Sequence, residues 1–137
     1  MSIDLTPRMK NWIASYGLHI ATATKKGVPT VIVANSVSAD GSIIKALLSP
    51  GQIKLIQDNI AENPQVALAP AQLGSVRAPY QFKGKASLGK DNLEIVVDEV
   101  YCTKPGAEAG IRLDTLGYEG MKRYEESRWI DFAPVSN

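Results

Sequence analysis

Few side chains in this 137-residue sequence are of the kinds that carry chemistry, and those few stand alone. His19 is the only histidine and falls where a strand begins. A lone imidazole makes neither a multi-histidine metal site nor a catalytic dyad without partners from elsewhere in the chain, so its expected role is structural. Cys102 is the only cysteine, with no CxxC companion and no histidine near it. That excludes an intramolecular disulfide and a cysteine-rich zinc site, and leaves a buried or half-buried inert thiol. Trp12 reads as core of an N-terminal helix. Arg77 and Tyr80 flank a loop within reach of a site, although surface loops carry such residues without any catalytic reason.

Composition narrows the classes further. Lys and Arg total 15 against 14 Asp and Glu, a net charge of +1, so no strong field gathers nucleic acid or an anionic membrane. Nowhere do the roughly 18 uninterrupted apolar residues of a membrane span occur. The first twenty residues carry Asp4, Arg8 and Lys10 and show no secretory cleavage signal, and with one cysteine a reducing, cytoplasmic setting is expected. The length suits one domain over residues 1–137, with no repeat, low-complexity tract or linker to divide it.

The elements that would position a site follow from periodicity and punctuation. Thr6-Pro7 is a helix start, Met9, Trp12, Ile13 and Tyr16 recur at helical spacing, and Gly17 ends the helix. Leu18 to Thr24 and Thr30 to Val37 are rich in Ile, Val and Thr around the turn Lys25-Lys26-Gly27-Val28-Pro29, a hairpin signal. Asp40-Gly41 turns into a third strand, Ile43 to Leu48, giving a meander. Ser49-Pro50-Gly51 opens a second helix with Ile53, Ile56 and Ile60 on one face, terminated by Asn63-Pro64. Val66 to Ala69 is a strand, Gln72 to Pro79 a loop, and Tyr80, Phe82, Gly84 and Ala86 alternate with polar residues as a further strand. Between Asp91 and Tyr101 the two periods compete. Ile95, Val96 and Val97 favour strand, but Leu93, Val96, Val97, Val100 and Tyr101 stand at helical spacing behind an Asp91/Glu94 capping pattern, and helix is the expectation. Lys104 to Gly120 reads as largely irregular, and Trp129 to Val135 as a closing strand.

Four segments in this order carry a resemblance: Ile20 to Thr30, Asp40-Gly41, Asn59 to Leu68 and Phe82-Lys83-Gly84-Lys85-Ala86. Together they resemble the split-barrel flavoproteins, which include pyridoxamine-phosphate oxidase and small FMN-binding proteins, over roughly residues 10 to 90. The resemblance implies a mainly β fold with short helices: a six-stranded antiparallel split β-barrel of the FMN-binding type. It also implies an FMN-binding flavoprotein, oxidoreductase or electron carrier, working as a homodimer with a small-molecule or protein redox partner. A non-enzymatic module carrying flavin, haem or deazaflavin on the same barrel is the alternative.

The same resemblance places the flavin phosphate at the start of the second helix, where N–H groups and the helix dipole suit an anion and Gln52, Ile53 and Lys54 lie. Counting back from Asn59, the position where the family usually has a basic residue is Ile56, so Lys54 is either the phosphate partner or a solvated lysine. The flavin ring would lie along Val33, Ala34 and Asn35 and along Ala46, Leu47 and Leu48, largely against backbone. Asn35 either bonds the ligand or faces water. Trp129 and Tyr124 would cover the flavin from the partner subunit. Because a flavin brings its own redox chemistry, no catalytic acid or base is required of the chain.

Overall fold

The computed structural model describes residues 2–71, 79–103 and 107–128. The first helix, α1 (Pro7–Tyr16), starts as its sequence requires: the Thr6 hydroxyl accepts the Met9 N–H at 3.2 Å, and Pro7 has no N–H to satisfy. Met9, Trp12 and Ile13 are fully buried, and the Trp12 and Tyr16 rings meet at 5.0 Å between centroids. Gly17 then turns the chain at φ 71°. A Cβ there would lie 2.3 Å from the Ala34 carbonyl oxygen, so a side chain is excluded both by the backbone angle and by space.

Seven strands and two further helices follow: β1 (Leu18–Ala23), β2 (Pro29–Ala34), β3 (Val37–Asp40), β4 (Ile43–Leu47), α2 (Pro50–Glu62), β5 (Gln65–Pro70), β6 (Tyr80–Leu88), β7 (Asn92–Cys102) and α3 (Gly117–Arg128). The strands form one antiparallel sheet in the order β2-β1-β5-β6-β7-β4-β3. Consecutive strands β2 and β3 thus occupy opposite edges while only Asn35 and Ser36 separate them, which curls the sheet into a split barrel. Its interior holds Leu18, Ile20, Ile44, Leu68, Phe82, Ile95 and Val97, with α1 against β3 and β5. The second helix, α2, lies on β1, β2 and β6, and its Ile56 and Ile60 join the same core.

Three expectations need correction. The stretch Thr30 to Val37 is not one strand: the bend at Asn35-Ser36 divides it, so the meander is replaced by two hairpins, β1–β2 and β3–β4, on opposite edges. Residues 92–102 are a strand, not a helix. The register of β7 against β6 slips between Lys83 and Gly84, so Asp98 is an extra residue. Leu93, Ile95 and Val97 face the core before the bulge and Val100 and Cys102 after it. The step from 97 to 100 across that bulge imitates helical spacing. These two changes add two strands to the five expected before residue 103 and give seven, while the sixth expected strand, over 129–135, lies outside the described residues. Third, the irregular stretch expected through Gly120 gives way to α3, which begins at Gly117.

The Phe-x-Gly-x-Ala strand is ordered as its alternation predicts. Tyr80, Phe82, Gly84 and Ala86 are buried along β6 while Lys83 and Lys85 face outward or lie half-exposed. Asn59, inside the segment ending in Asn63-Pro64, donates from Nδ2 to the Thr22 hydroxyl at 3.0 Å, which satisfies a buried amide and ties α2 to β1.

Candidate functional site

Three segments meet at one rim of the barrel. The Leu47 N–H donates to the Ser36 carbonyl at 3.0 Å, drawing the end of β4 to the turn after β2. The Gln52 amide donates from Nε2 to the Val33 carbonyl at 2.7 Å, drawing the first turn of α2 to the end of β2. Val33, Ser36, Leu47 and Gln52, far apart in sequence, are therefore brought together at this rim, and Lys54 stands two residues beyond Gln52 on the same helix. Val33 and Leu47 are 41% and 57% exposed. Asn35 and Lys54 are exposed, and Gln52 and Ile53 half-buried. Ala34, Ala46 and Leu48 bury their side chains in the core, so only their backbone borders this surface. The Leu48 N–H is itself bonded to the Asp91 carbonyl at 2.9 Å. Leu47 points outward.

The start of α2 is a complete capping box. The Ser49 hydroxyl accepts the Gln52 N–H at 3.2 Å, and the Gln52 side-chain oxygen accepts the Ser49 N–H at 3.0 Å. The Ile53 N–H bonds the Ser49 carbonyl at 3.0 Å and Pro50 has none, so among the described residues the Gly51 N–H is the donor left at this terminus. Sequence reasoning expected several free N–H groups here, and the cap uses most of them. Lys54 stands beside this terminus without an ion pair among the described residues, whereas Ile56 is fully buried. The buried face of α2 has taken the position where a basic residue was expected. One positive side chain, one free N–H and the helix dipole form a small donor set, and its sign fits a phosphate. Replacing Ser49 by alanine removes the cap, and about 1 kcal/mol of stability is the expected loss by urea denaturation. An unchanged midpoint would show the cap to be idle.

Beside this rim lies an open groove of about 250 Å³ lined by Ser36, Val37, Ser38, Lys45, Ala46, Leu47 and Asn92. Lys45 is held 3.8 Å from Glu94 there. A larger cavity, about 560 Å³, is elsewhere, lined by Asp4, Asp98, Arg112, Asp114 and Tyr118 among others. Burial pushes the Asp114 carboxyl up, but the Arg112 guanidinium at 3.0 Å and the Val100 N–H outweigh it and hold it below the usual carboxylate range. Three carboxylates facing one guanidinium repel a phosphate, so the larger volume is the poorer candidate.

The remaining sequence candidates separate cleanly. His19 is exposed on β1, and no cluster able to hold a metal exists among the described residues. Cys102 is a buried free thiol. Trp12 is core. Tyr80 does not border a loop site: it is fully buried, its hydroxyl donating to Glu125. Tyr124 is half-buried and bonds Glu108. Arg77 and Trp129 lie outside the described residues. Glu125, missed in sequence because a glutamate in a polar helix looks solvated, is buried to 3% exposure. No described helix is long and apolar enough to cross a membrane.

The fold is that of the pyridoxamine 5'-phosphate oxidase-like and FMN-binding split barrels. Two solved structures share it. A candidate pyridoxamine 5'-phosphate oxidase of Lactobacillus delbrueckii aligns at TM-score 0.60 and 20% identity, over 72% of this chain and 93% of that one. An FMN-binding protein of Syntrophomonas wolfei aligns at TM-score 0.56 and 8% identity, over 72% and 84%. In sequence the chain is similar to an uncharacterised protein of Methanocaldococcus jannaschii, 29% identical over 79% of this chain and 87% of that protein. No model of a known protein family matches the sequence.

Proposed function

We propose that the protein binds FMN at the rim formed by β2, β4 and α2, as a homodimer, and serves flavin redox chemistry as an oxidoreductase or electron carrier. The observation that supports this reading is that the ends of β2 and β4 and the first turn of α2 are tied together at one rim of a split barrel by the Gln52–Val33 and Leu47–Ser36 hydrogen bonds. Bound flavin supplies hydride and single-electron transfer. The chain's own part is to hold and shield: Lys54 and the Gly51 N–H take the phosphate, Val33 and Leu47 cover apolar ring surface, and Asn35 offers an amide to the ring's polar edge.

The homodimer rests on what the single chain leaves uncovered. Val28, Val31 and Val33 are 61%, 58% and 41% exposed, and Val31 joins Ala21, Ala67 and Ala69 in a shallow outer concavity. An apolar face of this kind is characteristic of a surface that meets another protein. The groove at the rim is open and needs a second wall to enclose a ring system.

The test is an absorption spectrum of the purified protein, followed by titration with FMN and sedimentation. Flavin bands in the visible blue, saturable FMN binding and a dimer that releases flavin on dilution are expected. Bands of haem or deazaflavin instead would transfer the site to that cofactor. A strict monomer with full FMN occupancy would refute the shared site.

A further inference from the structure

Among the described residues, the helix α3 meets the rest of the chain through one face. Met121 is buried at 1% exposure and Tyr124 is half-buried with its hydroxyl on Glu108, while Tyr118, Glu119, Arg123, Glu126 and Ser127 face solvent. The third attachment is a carboxylate. Glu125 Oε2 accepts the Thr6 hydroxyl at 2.8 Å and also the Tyr80 hydroxyl, so one oxygen joins α3 to the cap of α1 and to β6. Thr6 serves both sides: its oxygen takes the Met9 N–H and its hydrogen goes to Glu125.

We propose that Glu125 is a pH-sensitive latch, holding α3 tightly on α1 and β6 when protonated and loosening it when ionised. Burial of a carboxylate in a protein interior disfavours its charged form unless the surroundings compensate it. The surroundings here are mixed. Arg8 on α1 favours the charge, as do the two hydroxyl donors, and Glu126 on α3 opposes it. Tyr80 on β6 stays neutral, its own proton held by burial and by the neighbouring carboxylate, with Cys102 on β7 beside it, and Lys122 borders the same cleft. Desolvation prevails, and the Glu125 carboxyl is pushed above its ordinary value of 4.5.

The sign follows from that direction. The docked helix holds the proton more firmly than the undocked one, so docking is strongest below pH 4.5 and weakens as pH rises through the docked value. Each unit of upward displacement corresponds to about a tenfold loss of docking equilibrium across the transition.

Hydrogen exchange of the full-length protein at pH 5 and pH 8, corrected for intrinsic rates, tests the latch. Protection of residues 117–128 is expected to fall severalfold or more at the higher pH while β6 and β7 hold. Glu125→Gln, which cannot ionise, should raise protection at pH 8 and flatten the dependence. A flat wild-type profile, or an unchanged slope in Glu125→Gln, would overturn the proposal. Should that variant misfold, a carboxyl carbon-13 titration of Glu125 in the wild-type protein decides: a midpoint above 4.5 supports the latch and one at or below it ends the idea.

Discussion

Replacing Gly84 by valine is expected to leave little folded protein under conditions the wild type tolerates. Gly84 lies at the bulge where β6 meets β7. A Cβ there would stand 2.2 Å from the Val96 carbonyl oxygen, 2.9 Å from its carbon and 3.0 Å from Ile95 Cγ2. Two of those three atoms are backbone and cannot rotate aside, so the strands themselves must part. Overpacked core sites cost about 1–3 kcal/mol, and one blocked by backbone belongs at the top of that range or beyond. Against a total stability of about 5–15 kcal/mol, this is a large share. Gly84→Ala places the same Cβ with no further bulk, and a urea titration of that variant gives the measurable version. A wild-type midpoint for Gly84→Ala would show that β7 can yield at the bulge and would sink the argument.

Lys54→Met is expected to weaken FMN binding tenfold to a hundredfold while leaving the fold intact. A charge-assisted hydrogen bond contributes about 1.5–3 kcal/mol, which sets that range. Lys54 is exposed and Met keeps its length, so no core contact is lost. Riboflavin, which lacks the phosphate, is the control, and its affinity should barely change. Equal weakening of both ligands would place Lys54 on the ring or in the fold. If neither responds, Lys54 is a solvated lysine and the phosphate lies elsewhere. The next basic residues to substitute are Lys25 and Lys26, near the far end of α2, where the Lys25 N–H bonds Glu62 Oε1 at 3.1 Å. With 1.5 Å of rise per residue that end is about 12 Å from Lys54, so a response there would invert the cofactor's orientation along the helix.

What the residues announced and what they concealed have distinct physical causes. Local chemistry was legible: Thr6-Pro7 and Ser49-Pro50 marked both helix starts because caps act within four residues. Alternation along Tyr80 to Ala86 was equally clear, since that stretch keeps its phase. Strand β7 was not, because the extra residue Asp98 shifts which side chains face inward and no one-dimensional period survives the shift. The split of β2 from β3 was hidden for another reason. Asn35-Ser36 carries only a weak bend signal, and what divides the strands is pairing with β1 on one side and β4 on the other. At the site, the segments were identifiable, but the capping box that consumes the Ser49 and Gln52 N–H groups depends on side-chain geometry that residue type alone leaves open. Glu125 was invisible because its burial is created by Thr6 and Tyr80, residues far from it in sequence.

The two-residue passage from β2 to β3 also bears on how the edges of the sheet are protected. An open sheet exposes two rows of unpaired backbone groups, and such rows recruit strands from other molecules. Here the two outermost strands are leashed to each other through Asn35-Ser36, a span of at most about 11 Å between Ala34 and Val37. Neither can swing out as a free template near that link. At its far end β2 begins with Pro29, which has no N–H to donate, and β3 is only four residues long. Among the described residues both edges are therefore blunted, which disfavours continuation of the sheet from one copy into the next and leaves the faces of the barrel as the better surface for a second copy.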